Sequence, residues 1–294
     1  MDNLPNIQNI TSIDLPELQP YRTLRRPIDH IKQGIFVAEG EKVVRRLLTS
    51  NLTIISMLMT PEWHEQLFQS EYRTSANTSL HSRSNSSRMT IFIANKTVLE
   101  SIVGFNLHQG IMAVARVPQE RSLDEVIHSI SKPHLLVAMD GLVNAENVGV
   151  VVRNCAAFGV DAVIVGETSS SPYLRRAVRN SMGAIFTFPV IHSNNLIESL
   201  TVLRTNYATR VIAAHPHEES SLFSSDLAGN ICVVFGNEGD GISEQILNVC
   251  DEHLSIPMMN GTDSLNVASA SAAFLYEARK QRGSPAKVGK TSQV

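Results

Sequence analysis

The chain has 294 residues, of which 43% are apolar, 18% charged and 5% aromatic, with 25 basic against 28 acidic side chains and a net charge of −3. That length allows about two average domains, and the composition excludes disordered, collagen-like and coiled-coil classes. The near-neutral total excludes a globally basic nucleic-acid wrapper but not a local basic patch, because a partner reads local potential.

Residues 1–20 carry Asp2, Asp14 and Glu17 with neither Lys nor Arg. They lack the continuous apolar core of a signal peptide and read as a flexible extension. From Ile35 the pattern alternates between strand-like and helix-like segments. Glu41 to Leu48 is predicted as a helix with Val43, Val44, Leu47 and Leu48 on one face. Strands are predicted at Ile54–Met59 and Met89–Ala94. Asn95 then caps a helix with Val98, Leu99 and Ile102 inward. A strand from Gly110 to Val117 completes a small α/β domain over residues 21–117. Within it, residues 73–90 hold six Ser, three Thr, two Asn and three Arg without an acid. Such a stretch cannot bury enough apolar area to fold alone, so it is expected to be a mobile loop, either a solvated insertion or a basic loop that touches RNA.

Pro118, a charged run and Pro133 mark a linker over 118–133. Beyond it strands are predicted at 134–139, 161–165, 188–192, 210–214, 231–235 and 254–258. Helices are predicted at 147–158, within 172–186, and at 196–203, 243–249 and 264–282. This alternation over 134–282 argues a mostly parallel sheet covered on both faces, followed by a basic tail at 283–294. Cys155, Cys232 and Cys250 are spaced by 77 and 18 residues, which fits neither a zinc site nor a CxxC pair, so they read as small buried hydrophobes. No apolar run approaches the roughly 18 residues of a membrane span. The expectation is a soluble, cytoplasmic protein.

Three stretches carry chemistry. The first, from Asp140 to Cys155, follows a buried strand and opens a helix, where open α/β sheets collect ligands. Asn147 and Arg153 lie about 240° apart around a regular helix, so they converge only if Asn147 belongs to the loop before the first turn. Arg153 sits among Val150, Val151 and Val152, and such an Arg has either a structural ion-pair partner or an anionic ligand. The second stretch runs from strand Val233–Phe235 into Gly236-Asn-Glu-Gly-Asp-Gly241. Its glycines let the backbone approach a ligand, but their order is GxxGxG rather than the dinucleotide fingerprint. Glu238 and Asp240 suit an adenosine-bearing cation better than a phosphate. The third, Ile256 to Ala273, is an irregular loop feeding a helix of small residues, with Ser264 as its natural N-cap. His215 and His217 with Glu218 and Glu219 lack a third ligand at diagnostic spacing, so no metal site is expected.

Together, in this order, the three stretches resemble the motifs of the SpoU branch of the SPOUT RNA methyltransferases. NxGxxxR stands as Asn147, Gly149 and Arg153, and GNEGxG as Gly236, Asn237, Glu238, Gly239 and Gly241. IPM…SLNV stands as Ile256, Pro257, Met258, Ser264, Leu265, Asn266 and Val267, and Arg179 to Phe186 is similar to the family's intervening segment. The resemblance covers about 133–282. Residues 31–117 are more loosely similar to the family's substrate-binding domain, through Phe36-Val-Ala-Glu-Gly-Glu-Lys-Val-Val and His108-Gln-Gly-Ile-Met-Ala-Val; the loop at 73–90 departs from compact versions of it.

The resemblance implies an α/β fold with a deep C-terminal trefoil knot, S-adenosylmethionine held in it, and a homodimer with active sites at its interface. It implies Gly236, Ile256, Met258 and Leu265 as cofactor-binding residues, and Asn147, Arg153, Glu238, Ser264 and Asn266 as the reaction site. The implied activity is methyl transfer to a ribose 2′-hydroxyl of RNA, more of ribosomal than of transfer RNA, without metal or membrane. The family commonly uses the Arg153 position as base. A guanidinium stays protonated in most settings, so energy favours Arg153 gripping phosphate while Glu238 or water takes the proton. Basic residues at 22–46 and 279–290 are candidate phosphate contacts. The alternatives are a tRNA ribose methyltransferase, a catalytically silent knotted RNA-binding protein, and a nucleotide-dependent oxidoreductase disfavoured by its glycine order.

Overall fold

The computed structural model describes residues 5–12, 14–68, 89–104, 109–216, 220–259 and 264–283. Most of the Ser/Arg-rich stretch at 73–90, the tail at 284–294, and His108, His217, Glu218 and Glu219 lie outside the described residues. The chain divides into two compact units. One holds Met1–Gln119 with Tyr173–Thr187, the other Glu120–Pro172 with Phe188–Val294.

The first unit is built on a mixed sheet of β1 (Asn6–Asn9), β2 (Ile35–Glu39), β3 (Ile54–Met59), β4 (Thr90–Ile93) and β5 (Ile111–Arg116), in the order β1-β4-β3-β5-β2. The helix at Glu41–Thr49 buries Val43, Val44 and Leu47, and that at Lys96–Val103 is capped by Asn95, whose side chain accepts from Val98 N at 2.9 Å. The expected flexible extension is corrected here. Residues 6–9 pair with β4 in parallel, and the helical turns at 16–22 place Leu18 and Tyr21 in the core with no exposure. Tyr21 shares a 2.9 Å hydrogen bond with Ser56. The strand is four residues long and at an edge, too short to register a two-residue period.

The sequence also assigned residues 173–187 to the second domain, but the segment packs within the first unit. The Phe36 ring lies 5.6 Å from Tyr173 and 5.4 Å from Phe186, and Glu39 pairs with Arg175. Arg46 Nη1 donates to Met182 O at 2.7 Å.

The second unit carries an all-parallel sheet of β6 (Leu135–Met139), β7 (Ala162–Val165), β8 (Val190–His192), β9 (Arg210–Ala214), β10 (Ile231–Phe235) and β11 (Glu252–Leu254), ordered β11-β9-β10-β6-β7-β8. Such strands are buried on both faces and so read as continuous apolar runs. Leu136, Ala138 and Val234 share a core with Leu200 and Leu203, on the helix Leu196–Tyr207. On β10 the next residue, Phe235, meets Phe274 edge to face at 5.8 Å. Cys155 and Cys232 are fully buried, and burial pushes both thiols up; Cys250, half-buried, is raised to about 12.

Three boundaries differ from expectation. The linker 118–133 contains a helix, Leu123–Ser129, started by a capping box between Ser122 and Glu125. β11 ends at Leu254 rather than Met258, Pro257 having no N–H for a ladder. The last helix runs Val267–Gln281 and is capped by Asn266, not Ser264, with Asn266 Oδ1 accepting from Ala268 N at 2.9 Å. That helix packs along Ala145–Phe158: Asn154 Nδ2 donates to Ala268 O at 2.8 Å and to Ser271 Oγ at 2.9 Å. At its end Arg282 donates to the carbonyls of Leu227, Gly229, Pro133 and His134. Among the described residues, no helix is long and apolar enough to cross a membrane.

Candidate active site

The chain runs outward from β6 in one direction to β7 and β8, then returns to place β9 and β10 on the other side. The strand order therefore reverses between β6 and β10, and ligands of open α/β sheets collect beyond the carboxyl ends at such a point. Two loops meet there. Asp140 N donates to Phe235 O at 2.9 Å, Asn237 Nδ2 donates to Gly141 O at 2.7 Å, and Ser243 N donates to Asp140 Oδ2 at 2.8 Å.

After β10 the chain turns sharply. Asn237 and Gly241 exchange backbone hydrogen bonds of 2.8 and 3.1 Å. Gly236 is forced to be glycine, because a Cβ there would collide with the backbone of Gly241 and Ile242. The turn directs the Glu238 carboxylate to Asn147, whose Nδ2 donates to Glu238 Oε1 at 2.6 Å. Asn266 Nδ2 donates to Asn147 Oδ1 at 3.4 Å, completing a chain Asn266–Asn147–Glu238 drawn from all three motifs.

Asn147 is in the first turn of its helix, not in the loop before it. The helix spans Ala145–Phe158 and is capped by Asn144, whose Oδ1 accepts from Glu146 N at 2.9 Å and Asn147 N at 3.4 Å. Asn147 and Arg153 therefore diverge around the helix. Arg153 is exposed and makes no hydrogen bond or ion pair with a described residue. The structure brings together Asn147, Glu238 and Asn266 and leaves Arg153 outside that chain.

Beside these groups lies a cavity of about 710 Å³, within the roughly 300–1,000 Å³ of small-molecule sites. Gly236, Ile256, Met258 and Leu265, together with Glu238 and Ser264, line it. Phe235, Leu254 and Phe274 give it an apolar wall, and Glu238 and Asp240 an acidic edge. An apolar wall beside an acidic edge can take a flat apolar ring system carrying a cation at one end. Sequence reasoning missed Phe235, Phe274 and His215 as lining residues; His215 stands 6.3 Å, ring to ring, from His253. The first two signalled only a buried apolar position, and His215 was weighed as a metal ligand. Among the described residues no group of three or more His, Cys, Asp or Glu side chains is placed to hold a metal.

Residues 134–276 match the family described as SpoU rRNA Methylase. The chain is 30% identical over 280 residues to an uncharacterised tRNA/rRNA methyltransferase of Mycobacterium bovis, covering 92% of this chain and 91% of that one. It is 35% identical over 199 residues to the 23S rRNA (guanosine-2′-O-)-methyltransferase of Photorhabdus laumondii, covering 67% of this chain and 81% of the relative. Among solved structures, an AdoMet-bound rRNA methyltransferase from Sinorhizobium meliloti superposes with a TM-score of 0.75 at 22% identity, over 95% of this chain and 99% of that one. At that identity the likeness speaks for the fold.

Proposed function

The chain belongs to the SpoU rRNA methylase family, and from that premise we propose that it transfers a methyl group from S-adenosylmethionine to a ribose 2′-hydroxyl of ribosomal RNA. One observation carries the reading: Asn147, Glu238 and Asn266 form one hydrogen-bonded chain beside the cavity that Gly236, Ile256, Met258 and Leu265 line. The named substrate of the Photorhabdus relative, 23S rRNA guanosine, supports ribosomal RNA as the class acted on.

The residues fit the cofactor. Phe235, Ile256, Leu265 and Phe274 would hold the purine and its neighbourhood, and the bare Gly236 admits close approach of the backbone. The acidic edge at Glu238 and Asp240 favours a positive centre by charge. When bound, S-adenosylmethionine supplies a methyl group already activated by its sulfonium, so no metal is required. The protein's task is then to orient the attacking hydroxyl and to accept its proton. This reading gives Glu238 the second role, supported by the hydrogen bond from Asn147 to its carboxylate, with Ser264 lining the same cavity and Asn266 bonded to Asn147. Arg153 grips the phosphate next to the reacting ribose, stabilising the developing alkoxide.

A homodimer belongs to this reading and explains Arg153, which would serve the site across the interface. Its support is the outward face of the two paired helices, where Arg153, Ala157, Ser269 and Tyr276 are exposed. The deep knot is supported by Ile256, Pro257, Met258, Ser264 and Leu265, which line the cavity with residues of the 236–241 turn before the chain returns along Ala145–Phe158. The cytoplasm, where unmodified RNA is found, is the proposed location. The deciding experiment supplies tritiated S-adenosylmethionine with unmodified rRNA and tRNA pools. Label in an alkali-resistant dinucleotide from rRNA is the expected result. Label from tRNA alone moves the substrate class, and no donor binding overturns the reading.

A further inference from the structure

Asn237 lies between the glycine that opens the cavity and the carboxylate that faces Asn147, and its side chain makes three hydrogen bonds. Oδ1 accepts from Gly239 N at 2.8 Å and from Asp240 N at 3.2 Å, which closes the turn around Glu238. Nδ2 donates to Gly141 O at 2.7 Å, in the loop that follows β6. Three residues beyond Gly141, Asn144 caps the helix whose first turn presents Asn147. One amide therefore fixes the conformation of the turn bearing Glu238 and its distance from the loop that leads to Asn147.

We propose that Asn237 is a positioning residue for methyl transfer, setting the separation of Glu238 from Asn147. The role needs an amide, since only that group accepts and donates together at this length. Asp140 frames the far end of the same turn by accepting from Ser243 N at 2.8 Å. A residue that merely built the turn would need the acceptor half alone. The donor half reaches the other loop, and that contact ties the carboxylate to its partner. An orienting group of this kind acts through the residue it holds, so its loss and the loss of that residue are not additive.

The inference rests on the methyltransferase reading, and the test separates the two. Asn237→Asp keeps both bonds within the turn, but sets an acceptor against the Gly141 carbonyl. The full chain is prepared as wild type, Asn237→Asp, Glu238→Gln and the double variant. Melting temperature, S-adenosylmethionine affinity, and kcat and KM for RNA are measured for each. Asn237→Asp is expected to lower kcat about 10- to 100-fold with KM within about twofold. The double variant is expected to be no more than about twofold slower than Glu238→Gln alone. Losses that multiply, or a kcat that Asn237→Asp leaves unchanged, overturn the positioning role while the methyltransferase reading stands. A wild type that transfers no methyl to either RNA pool overturns both. Should Asn237→Asp fold poorly, Asn237→Ser, whose hydroxyl accepts within the turn but is too short to span to Gly141, is read in the same cycle.

Discussion

Asn147 Nδ2 donates to Glu238 Oε1 across 2.6 Å, joining a helix that follows β6 to a turn that follows β10, 91 residues later in the chain. An amide donating to a carboxylate makes a charge-assisted bond, and Glu238 is exposed while Asn147 is half-buried at the start of its helix, so the bond lies outside the hydrophobic core. The contact instead fixes the direction of one carboxylate oxygen.

Removing either partner should therefore affect turnover far more than stability. Glu238→Gln and Asn147→Ala are each expected to lower kcat by about 10²–10⁴, the usual range for a positioned proton acceptor. The melting temperature should stay within a few degrees of wild type, as for substitutions outside the core. Single-turnover kinetics beside thermal unfolding checks this. A Glu238→Gln variant with unimpaired turnover would assign the proton to water.

Gly236 gives the second prediction. Its missing Cβ is the space into which the Gly241–Ile242 backbone folds. Gly236→Ala must push that turn outward, at about 1–3 kcal/mol by analogy with overpacked cores, and the turn is one wall of the cavity. The variant is expected to fold and to lose S-adenosylmethionine affinity by tenfold or more, since about 1.4 kcal/mol corresponds to each factor of ten. Calorimetric titration of the donor into the variant measures it.

The parts legible in the sequence were those written in local pattern. β6 and β10 are unbroken apolar runs, and Asn95 announces its helix by residue type and position. The three motifs could be located but not joined, because a bond between Asn147 and Glu238 depends on strand order, which no local window holds. The parts missed were short or non-local. The strand Asn6–Asn9 is too brief for its period to register. The helix Leu123–Ser129 carried a capping-box signal, Ser122 and Glu125, inside a stretch whose prolines and charges outweighed it. The Tyr173–Thr187 segment follows β7 in sequence, yet Phe36 and Glu39, more than 130 residues earlier, decide where it packs. Asn237 was visible within its motif, but its grip on Gly141 appears only once β6 and β10 are neighbours.

His134 predicts an acid limit on stability. The residue is 0% exposed, its Nε2 lies 2.7 Å from Thr209 Oγ1, and its Nδ1 has no hydrogen-bond partner among the described residues. Burial holds its pKa below the ordinary 6.5, with Lys132 and Arg282 adding to the shift. The folded state thus prefers the neutral ring, while the unfolded chain takes up a proton near 6.5. Stability from this group is complete above that value and falls as pH drops through it towards the folded-state pKa. Burial lowers His30 and His192 as well, so the effects add in one direction. Melting temperatures at pH 7.5 and 5.5 should differ for the wild type. The difference should shrink in His134→Gln, which cannot be protonated. An unchanged difference would assign the acid limit to the other histidines.

Arg153 supplies the sharpest test of the proposed assembly. Its guanidinium is exposed on the Ala145–Phe158 helix, away from the Asn266–Asn147–Glu238 chain. Arg153→Ala is expected to abolish turnover, and Arg153→Lys to retain part of it, because charge survives while the two-pronged geometry is lost. If the residue serves the site of the other protomer, two inactive variants should complement each other. Mixing Arg153→Ala with Glu238→Gln, after dissociation and reassociation, yields heterodimers in which one site draws intact Glu238 from one protomer and intact Arg153 from the other. The second site of each heterodimer carries both lesions. With random pairing, half the dimers are mixed and half their sites restored, so activity should recover to about a quarter of wild type in a two-fold symmetric dimer. If Arg153 serves its own protomer, every site retains one lesion and the mixture stays as inactive as its parents.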